Sequence, residues 1–357
     1  MTESTRAVLL VGNFLSESMV YGSVGEDLSR RLTARGWSVV MTSGKMNRAL
    51  RLIDMVRTVL SRRRDYAVAH VDVFSGVAFL WAEAACRALR LVRKPYALTL
   101  RGGDLPNFAA RQPKRVRQLL ASAEVVTSPS GYLRERMRPY REDIRLLTNP
   151  LETGCYPRTV RKSPAPRLVW LRAFHEIYNP SLVPAVMAEL SDIDDIHTIM
   201  VGPDKGDGSL QRARRRAEEL GVAQRIAFPG PVPKKDVPQW LNRGDIFINT
   251  ASIDNTPTSV LEAMACGLCV VSTNVGGIPY LLEDERDALL VPPGDAPALA
   301  AAVRRVLREP GLAERLSTQG RRKVEEFDWS HLLPQWEELF LELARRGGQV
   351  TKHKHTV

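Results

Sequence analysis

The stretch Thr250-Ala251-Ser252-Ile253-Asp254-Asn255-Thr256-Pro257-Thr258-Ser259-Val260-Leu261-Glu262-Ala263-Met264-Ala265-Cys266-Gly267 places two carboxylates, Asp254 and Glu262, on either side of a helix start. Thr256 is a capping residue type, and Pro257 suits the first helical position, where a missing N–H costs nothing. The amides of Thr258, Ser259 and Val260 are then expected as unpaired donors at a positive helix end. An anion there gains roughly 0.3–1 kcal/mol, rising to about 2 kcal/mol when partly buried. Glu262 falls four residues after Thr258 and shares its face. A carboxylate beside a phosphate cradle repels phosphate but accepts hydrogen bonds from the vicinal hydroxyls of a ribose. The segment reads as a nucleotide diphosphate site with a sugar beside it, or, more plainly, as a capped helix with one solvated Glu.

The residues that follow favour the first reading. Leu268-Cys269-Val270-Val271-Ser272 has the composition of a short buried strand, and Asn274-Val275-Gly276-Gly277-Ile278-Pro279 leads into another helix. Paired glycines between a strand and a helix let backbone approach a ligand closely. Two strand–loop–helix units in succession put both loops at the carboxyl edge of a parallel sheet, where open α/β folds bind ligands.

Taken together, the segment resembles the donor-binding core of the retaining GT-B glycosyltransferases of family four. Their hallmark is an acidic residue, seven residues, then Glu running into Glu-Ala-Met-Ala-x-Gly, with a later Gly-Gly-Ile-Pro. Asp254 stands at the first acidic position, usually Glu, while Glu262-Ala263-Met264-Ala265-Cys266-Gly267 and Gly276-Gly277-Ile278-Pro279 match. The resemblance implies an α/β chain of two Rossmann-like parallel-sheet domains facing a central cleft. It also implies transfer of a sugar from a nucleotide-sugar donor to a glycan or lipid-linked acceptor with retention of configuration, in surface glycan or polysaccharide assembly.

The remaining site expectations come from strand ends read beside that resemblance. Arg172 closes the strand Leu168–Leu171, where the family neutralises the donor diphosphate with an Arg and a Lys five or six residues on. Here Ile177 or Tyr178 replaces that Lys, and Lys205 in Gly202-Pro203-Asp204-Lys205-Gly206 is the candidate substitute. His175 could meet phosphate or be satisfied locally. Gly22, in Tyr21-Gly22-Ser23-Val24, resembles the family's glycine loop near donor and acceptor. Arg101 stands where many relatives carry His beside the reacting sugar. It cannot serve as a base at neutral pH, but its fork can hold phosphate or carboxylate, so an electrostatic or acceptor-binding role is expected.

Along the chain, strands and helices alternate, implying parallel sheets with helices on both faces. Strands are expected at Ala7–Val11, Ser38–Thr42, Ala67–Val71, Tyr96–Leu100, Val125–Thr127 and Ile144–Leu147. A second series follows at Leu168–Leu171, Thr198–Val201, Ile226–Phe228, Ile246–Asn249 and Leu268–Ser272. Asn149-Pro150 breaks the pattern, and Arg161-Lys162-Ser163-Pro164-Ala165-Pro166 reads as a linker. The expected domains are 1–160, 161–331, and a C-terminal helix and basic tail, 332–357, with the helix over Leu332–Arg346 crossing back to the first domain as in the family.

Composition narrows the classes. The 357 residues carry a net charge of +11, and residues 1–160 hold 26 Lys and Arg against 14 Asp and Glu, while the remainder holds 25 against 26. The basic clusters Arg62-Arg63-Arg64, Arg93-Lys94, Lys114-Arg115-Val116-Arg117 and Arg134–Arg141 read either as solvated helix faces or as attraction to an anionic membrane or charged acceptor. Without interleaved aromatics they do not favour nucleic acid. No apolar run is long enough to span a bilayer and no signal peptide is visible, which leads to a cytoplasmic expectation with peripheral membrane contact. No P-loop or G-x-G-x-x-G occurs, against ATPase and dehydrogenase readings. Cys266-x-x-Cys269 lacks further zinc ligands at suitable spacing and reads as buried packing. Asp192-Ile193-Asp194 resembles a manganese-binding D-x-D but reads as a solvated turn, so no metal or cofactor is expected. A nucleotide-sugar epimerase and a non-catalytic nucleotide-sugar-binding relative are the rival functions.

Overall fold

A computed structural model describes residues 6–14 and 24–352, with side chains described as far as Gly347. Gly22 lies outside the described residues. The chain divides into two compact units, Met1–Pro150 with Trp329–Val357, and Leu151–Asp328.

Short, buried, largely apolar runs build the first sheet, as strands covered on both faces require. Its strands are β1 (Ala7–Val11), β2 (Ser38–Thr42), β3 (Val68–Val73), β4 (Tyr96–Leu100), β5 (Val125–Ser128) and β6 (Ile144–Leu146), in the order β2-β1-β3-β4-β5-β6 and all parallel. Along β1 the side chains divide by parity, as a two-residue period requires. Leu9 and Val11 enter one core with the helices Arg48–Ser61 and Val77–Leu91, while Val8 and Leu10 enter another with the helix Val24–Ala34 and the C-terminal helix. That last helix runs Trp329–Lys352, longer at both ends than the sequence pattern suggests, and buries Trp336, Phe340 and Leu343 at helical spacing. Each such side chain contributes about 1.5–3 kcal/mol when fully buried.

The second sheet has the strands β7 (Arg167–Leu171), β8 (His197–Val201), β9 (Ile226–Gly230), β10 (Ile246–Asn249), β11 (Cys269–Thr273) and β12 (Leu289–Val291). Their order is β12-β11-β10-β7-β8-β9, again all parallel. The order reverses between β7 and β10, so a crevice opens at their carboxyl ends, the position where doubly wound sheets take ligands. The three-residue β12 is not among the strands the sequence pattern suggests.

The unit boundary differs from the expected break at residue 160. Arg161 is not linker: its buried guanidinium meets the Asp245 carboxylate at 2.9 Å and reaches the carbonyls of Thr159 and Gly244. Leu151 donates its amide to Phe327, and Thr153 bonds Asp328. Residues 151–166 therefore wrap the second unit, because a buried charge and two backbone ties hold them there. At the other end, Trp329 and Leu332 join the first unit's core.

Candidate active site

The helix after β10 begins one residue later than the sequence suggests. Pro257 is the residue flanking it, with extended backbone at φ −70° and ψ 108°, and the helix runs Thr258–Cys266. Thr256 does not cap it; its hydroxyl is buried without a hydrogen bond. The Pro257 carbonyl accepts from Val260 at 3.1 Å, so the Val260 amide is not a free donor. The amides of Thr258 and Ser259 carry no hydrogen bond among the described residues, and the Ser259 hydroxyl is likewise unpaired. A positive helix end with two open amides remains, which is the arrangement that binds oxyanions.

Arg172 and Asp254 meet at the switch point. Arg172 leaves the end of β7, Asp254 lies in the loop after β10, and the two form a buried ion pair. Asp254 also accepts the Asn255 amide through Oδ1 at 2.9 Å. The Arg172 guanidinium stacks on the Tyr178 ring, 4.3 Å from its centroid, and burial pulls its pKa down. Thr250 fixes the loops that carry them. Its hydroxyl accepts from Trp170 Nε1 at 2.9 Å and donates to the Tyr178 carbonyl at 2.8 Å, while Ser252 donates its amide to Ile177. Tyr178, one of the two residues standing where the resembled family has Lys, thus supplies a stacking surface for Arg172 rather than a second charge.

Glu262 is buried one turn into the helix and does not stand alone. The Tyr156 hydroxyl donates to its Oε1 at 2.9 Å, and the Lys234 ammonium pairs with the same oxygen. Burial raises the Tyr156 pKa and lowers that of Lys234. Neither partner was expected. Lys234 follows β9 in Pro231-Val232-Pro233-Lys234-Lys235, and a scan of every strand end for basic residues would have flagged it. Tyr156 carries no local signal, since its segment read as part of the first domain.

The glycine pair serves the loop rather than standing open. Gly277 donates its amide to the Asp254 carbonyl at 2.9 Å, and a Cβ on Gly277 would overlap the Asn255 carbonyl. Gly276, at φ +54°, is equally tight against Asp254, though its own amide has no hydrogen bond among the described residues. These glycines let the backbone after β11 lie flat on the backbone carrying Asp254. Lys205 is exposed without an ion pair among the described residues, and its amide donates to Phe174 beyond Arg172. His175 is spent locally: its Nδ1 accepts the Ile177 amide at 3.3 Å.

Arg101 belongs to the first unit and is held at the end of β4. Its Nε bonds Asp72 at 2.8 Å and its other arm bonds Asn149 at 2.6 Å, leaving the side chain 13% exposed. Asp192 of the D-x-D accepts both arms of Arg304, at 2.8 and 2.5 Å. Among the described residues no three His, Cys, Asp or Glu side chains gather to hold a metal ion. Cys266 and Cys269 are buried, and their thiols are pushed up to about 12 by burial, which leaves them protonated and inert. No helix among the described residues is long and apolar enough to cross a membrane.

Two parallel sheets with this strand order, and the Arg172–Asp254 pair at the switch point of the second, are the arrangement in which open α/β folds take ligands. Residues 165–309 match the family model described as Glycosyl transferases group 1. A D-inositol 3-phosphate glycosyltransferase of Streptomyces bingchenggensis is 24% identical over 285 residues, covering 74% of this chain and 63% of that protein. A 2-deoxystreptamine N-acetyl-D-glucosaminyltransferase of Streptomyces fradiae is 31% identical over 269 residues, covering 67% and 62%. The chain thus spans less than two thirds of the length of these curated relatives. Sucrose-phosphate synthase from Thermosynechococcus elongatus matches at a TM-score of 0.76 and 18% identity, over 95% of this chain and 99% of that one. Anabaena Alr3699/HepE in complex with UDP matches at 0.73 and 14%, over 94% and 99%. These likenesses show the fold, the α/β architecture of the GT-B glycosyltransferases.

Proposed function

We propose that the protein is a glycosyltransferase moving a sugar from a nucleotide-sugar donor to a glycan or lipid-linked acceptor, with retention of configuration, in surface glycan or polysaccharide assembly. The observation that carries this reading is the Arg172–Asp254 pair beside an open helix N-terminus, with Glu262 buried one turn further on.

The chemistry follows from charge. As the glycosyl bond breaks, negative charge grows on the leaving diphosphate. Arg172 and the Thr258 and Ser259 amides are donors of the type that stabilises it, and donors fixed before reaction do so without reorganisation. Asp254 would hold a donor sugar hydroxyl and Glu262 the ribose hydroxyls. Lys205 would add a second positive charge, and Arg101 would orient or balance the acceptor. Front-face attack, with the leaving phosphate helping deprotonate the acceptor, is the step implied by the family resemblance. The reaction would run in the cytoplasm, with peripheral contact at an anionic membrane surface.

The test is a thermal-shift screen with UDP, GDP, ADP and CMP, followed by acceptor-dependent release of nucleoside diphosphate. The UDP bound by Alr3699/HepE makes UDP the first nucleotide to try. A ligand at 100 times its dissociation constant adds about 2.7 kcal/mol. Stabilisation by one nucleotide, abolished in Glu262→Ala, with turnover only when acceptor is present, is the expected outcome. Donor consumption without acceptor would point to an epimerase. Binding with no turnover would point to a non-catalytic relative, and no binding at all would sink the reading.

A further inference from the structure

The outward side of the helix Arg48–Ser61 is apolar and basic, where a solvated helix would carry polar residues of both signs. Met46, Leu50 and Ile53 are 66%, 56% and 60% exposed. Beside them Leu52, Val56 and Leu60 line an open groove of about 630 Å³ bordered by Arg57 and Arg63. The adjacent helix Val77–Leu91 adds Val77 and Leu80, both about half exposed, at its first turns. Isolated surface apolar residues need no explanation, but a contiguous patch marks an interaction surface.

The exposed charges on this face that lack an opposite partner are basic. Arg48, Arg57, Arg63 and Arg64 are exposed and have no acidic partner among the described residues. The two nearby acids are already engaged: Asp54 accepts the Thr42 hydroxyl at 3.1 Å, and Asp65 pairs with Arg62. Some members of the other basic clusters of the first unit have internal duties instead. Arg115 forks onto Glu83, and Arg141 holds the carbonyls of Leu120, Ala123 and Glu124.

We propose that this face docks the first unit onto an anionic lipid bilayer. Leu50 and Ile53 enter the boundary between headgroups and acyl chains, the groove receives a hydrocarbon segment, and the arginines meet lipid phosphates. A second copy of the chain is a poorer occupant, because a two-fold interface would set the same arginines against each other. Nucleic acid is poorer too, because the face offers apolar aliphatics and, among the described residues, no exposed ring for a base to stack on. The inference deepens the membrane contact of the proposed function by assigning it a surface, and it stands or falls apart from the donor site, which lies in the other unit.

Sedimentation of the full chain with vesicles tests it, comparing phosphatidylcholine alone with the same lipid carrying about 30% phosphatidylglycerol. Thermal shift with UDP is run on the same samples. The wild type is expected to sediment with the anionic vesicles, less so as salt rises, and weakly with the neutral ones. The variant Leu50→Asp/Ile53→Asp is expected to bind at least tenfold more weakly while keeping the wild-type UDP shift. Undiminished binding by that variant, equal binding to neutral vesicles, or a concentration-dependent dimer that the variant abolishes would each overturn the docking surface. No thermal shift by any of UDP, GDP, ADP and CMP in the wild type, with vesicle binding intact, would overturn the donor reading alone.

Discussion

Lys234 lies with its ammonium against the Glu262 carboxylate, although 27 residues, including the helix Val237–Leu241 and β10, lie between them. Glu262 is almost wholly buried, while Lys234 is 46% exposed, so solvent already screens the ammonium's charge. Removing one partner of a fully buried pair costs about 3–5 kcal/mol. Lys234→Met should therefore cost less, roughly 1–2 kcal/mol, because solvent already screens the ammonium. Adding Glu262→Gln to it should restore most of that loss. Urea unfolding of the two single variants and the double one measures the coupling; additive losses would remove the pair from the account.

The donor role proposed for Glu262 has its own test. If it accepts ribose hydroxyls, Glu262→Ala forfeits a charge-assisted bond of about 1.5–3 kcal/mol, at least tenfold in kcat/KM for the donor. Steady-state assays at saturating acceptor read this directly. Activity equal to wild type would leave Glu262 a structural anchor for Lys234 and Tyr156.

Arg172 is held by stacking as well as by charge, so its two substitutions should fall close together. Arg172→Ala is expected to lower kcat by about 10²–10³, the cost of one preorganised donor at a developing oxyanion. Arg172→Lys should recover little, because an ammonium neither stacks on Tyr178 in the same way nor forks between carboxylate and phosphate. Near-complete rescue by lysine would show that only the positive charge matters.

The glycine loop can be tested without touching a charged group. Gly277→Ala would push a methyl into the Asn255 carbonyl and displace the backbone that carries Asp254. A loss of about 1–3 kcal/mol is expected from such overpacking, with a fall in donor use beyond what the stability loss explains. Gly103→Ala is the control, since a Cβ there meets nothing within 4 Å. Differential scanning calorimetry and donor titration of both variants make the comparison.

His70 predicts a pH dependence in the first unit. Burial lowers its pKa to about 4, and its Nε2 lies 2.7 Å from the Thr99 hydroxyl while the ring packs edge-on to Trp336. An unfolded histidine titrates near 6.5, so between pH 6.5 and 4 the unfolded chain binds a proton that the native chain does not. Stability should accordingly fall as pH drops through that window, by up to about 3 kcal/mol. Urea midpoints between pH 7 and 4.5 test the direction, and His70→Asn should flatten the profile in that range.

Much of the donor segment was legible because its signals are local. Apolar strands of four or five residues, a proline at a helix start and a glycine after its end reveal strand–loop–helix units in sequence order. The parallel sheets follow from their alternation. Arg172, Asp254 and Glu262 could be picked out as ends of those units. The helix start was misread by one residue, because a Thr-Pro pair allows either residue to stand outside the first turn, and packing of the Asp254 loop against Gly276 and Gly277 sets which one does.

The sequence by itself determined the fold class, the strand-end positions of the site residues and the match of residues 165–309 to a glycosyl transferase family model. Only the tertiary structure decided who meets whom: Arg172 with Asp254 and Tyr178, Glu262 with Lys234 and Tyr156, Arg161 with Asp245, and the apolar face left open between arginines on Arg48–Ser61. The physical reason is range. Secondary structure depends on neighbours within a few residues, whereas a buried charge finds its partner across strands that only the folded sheet order brings together.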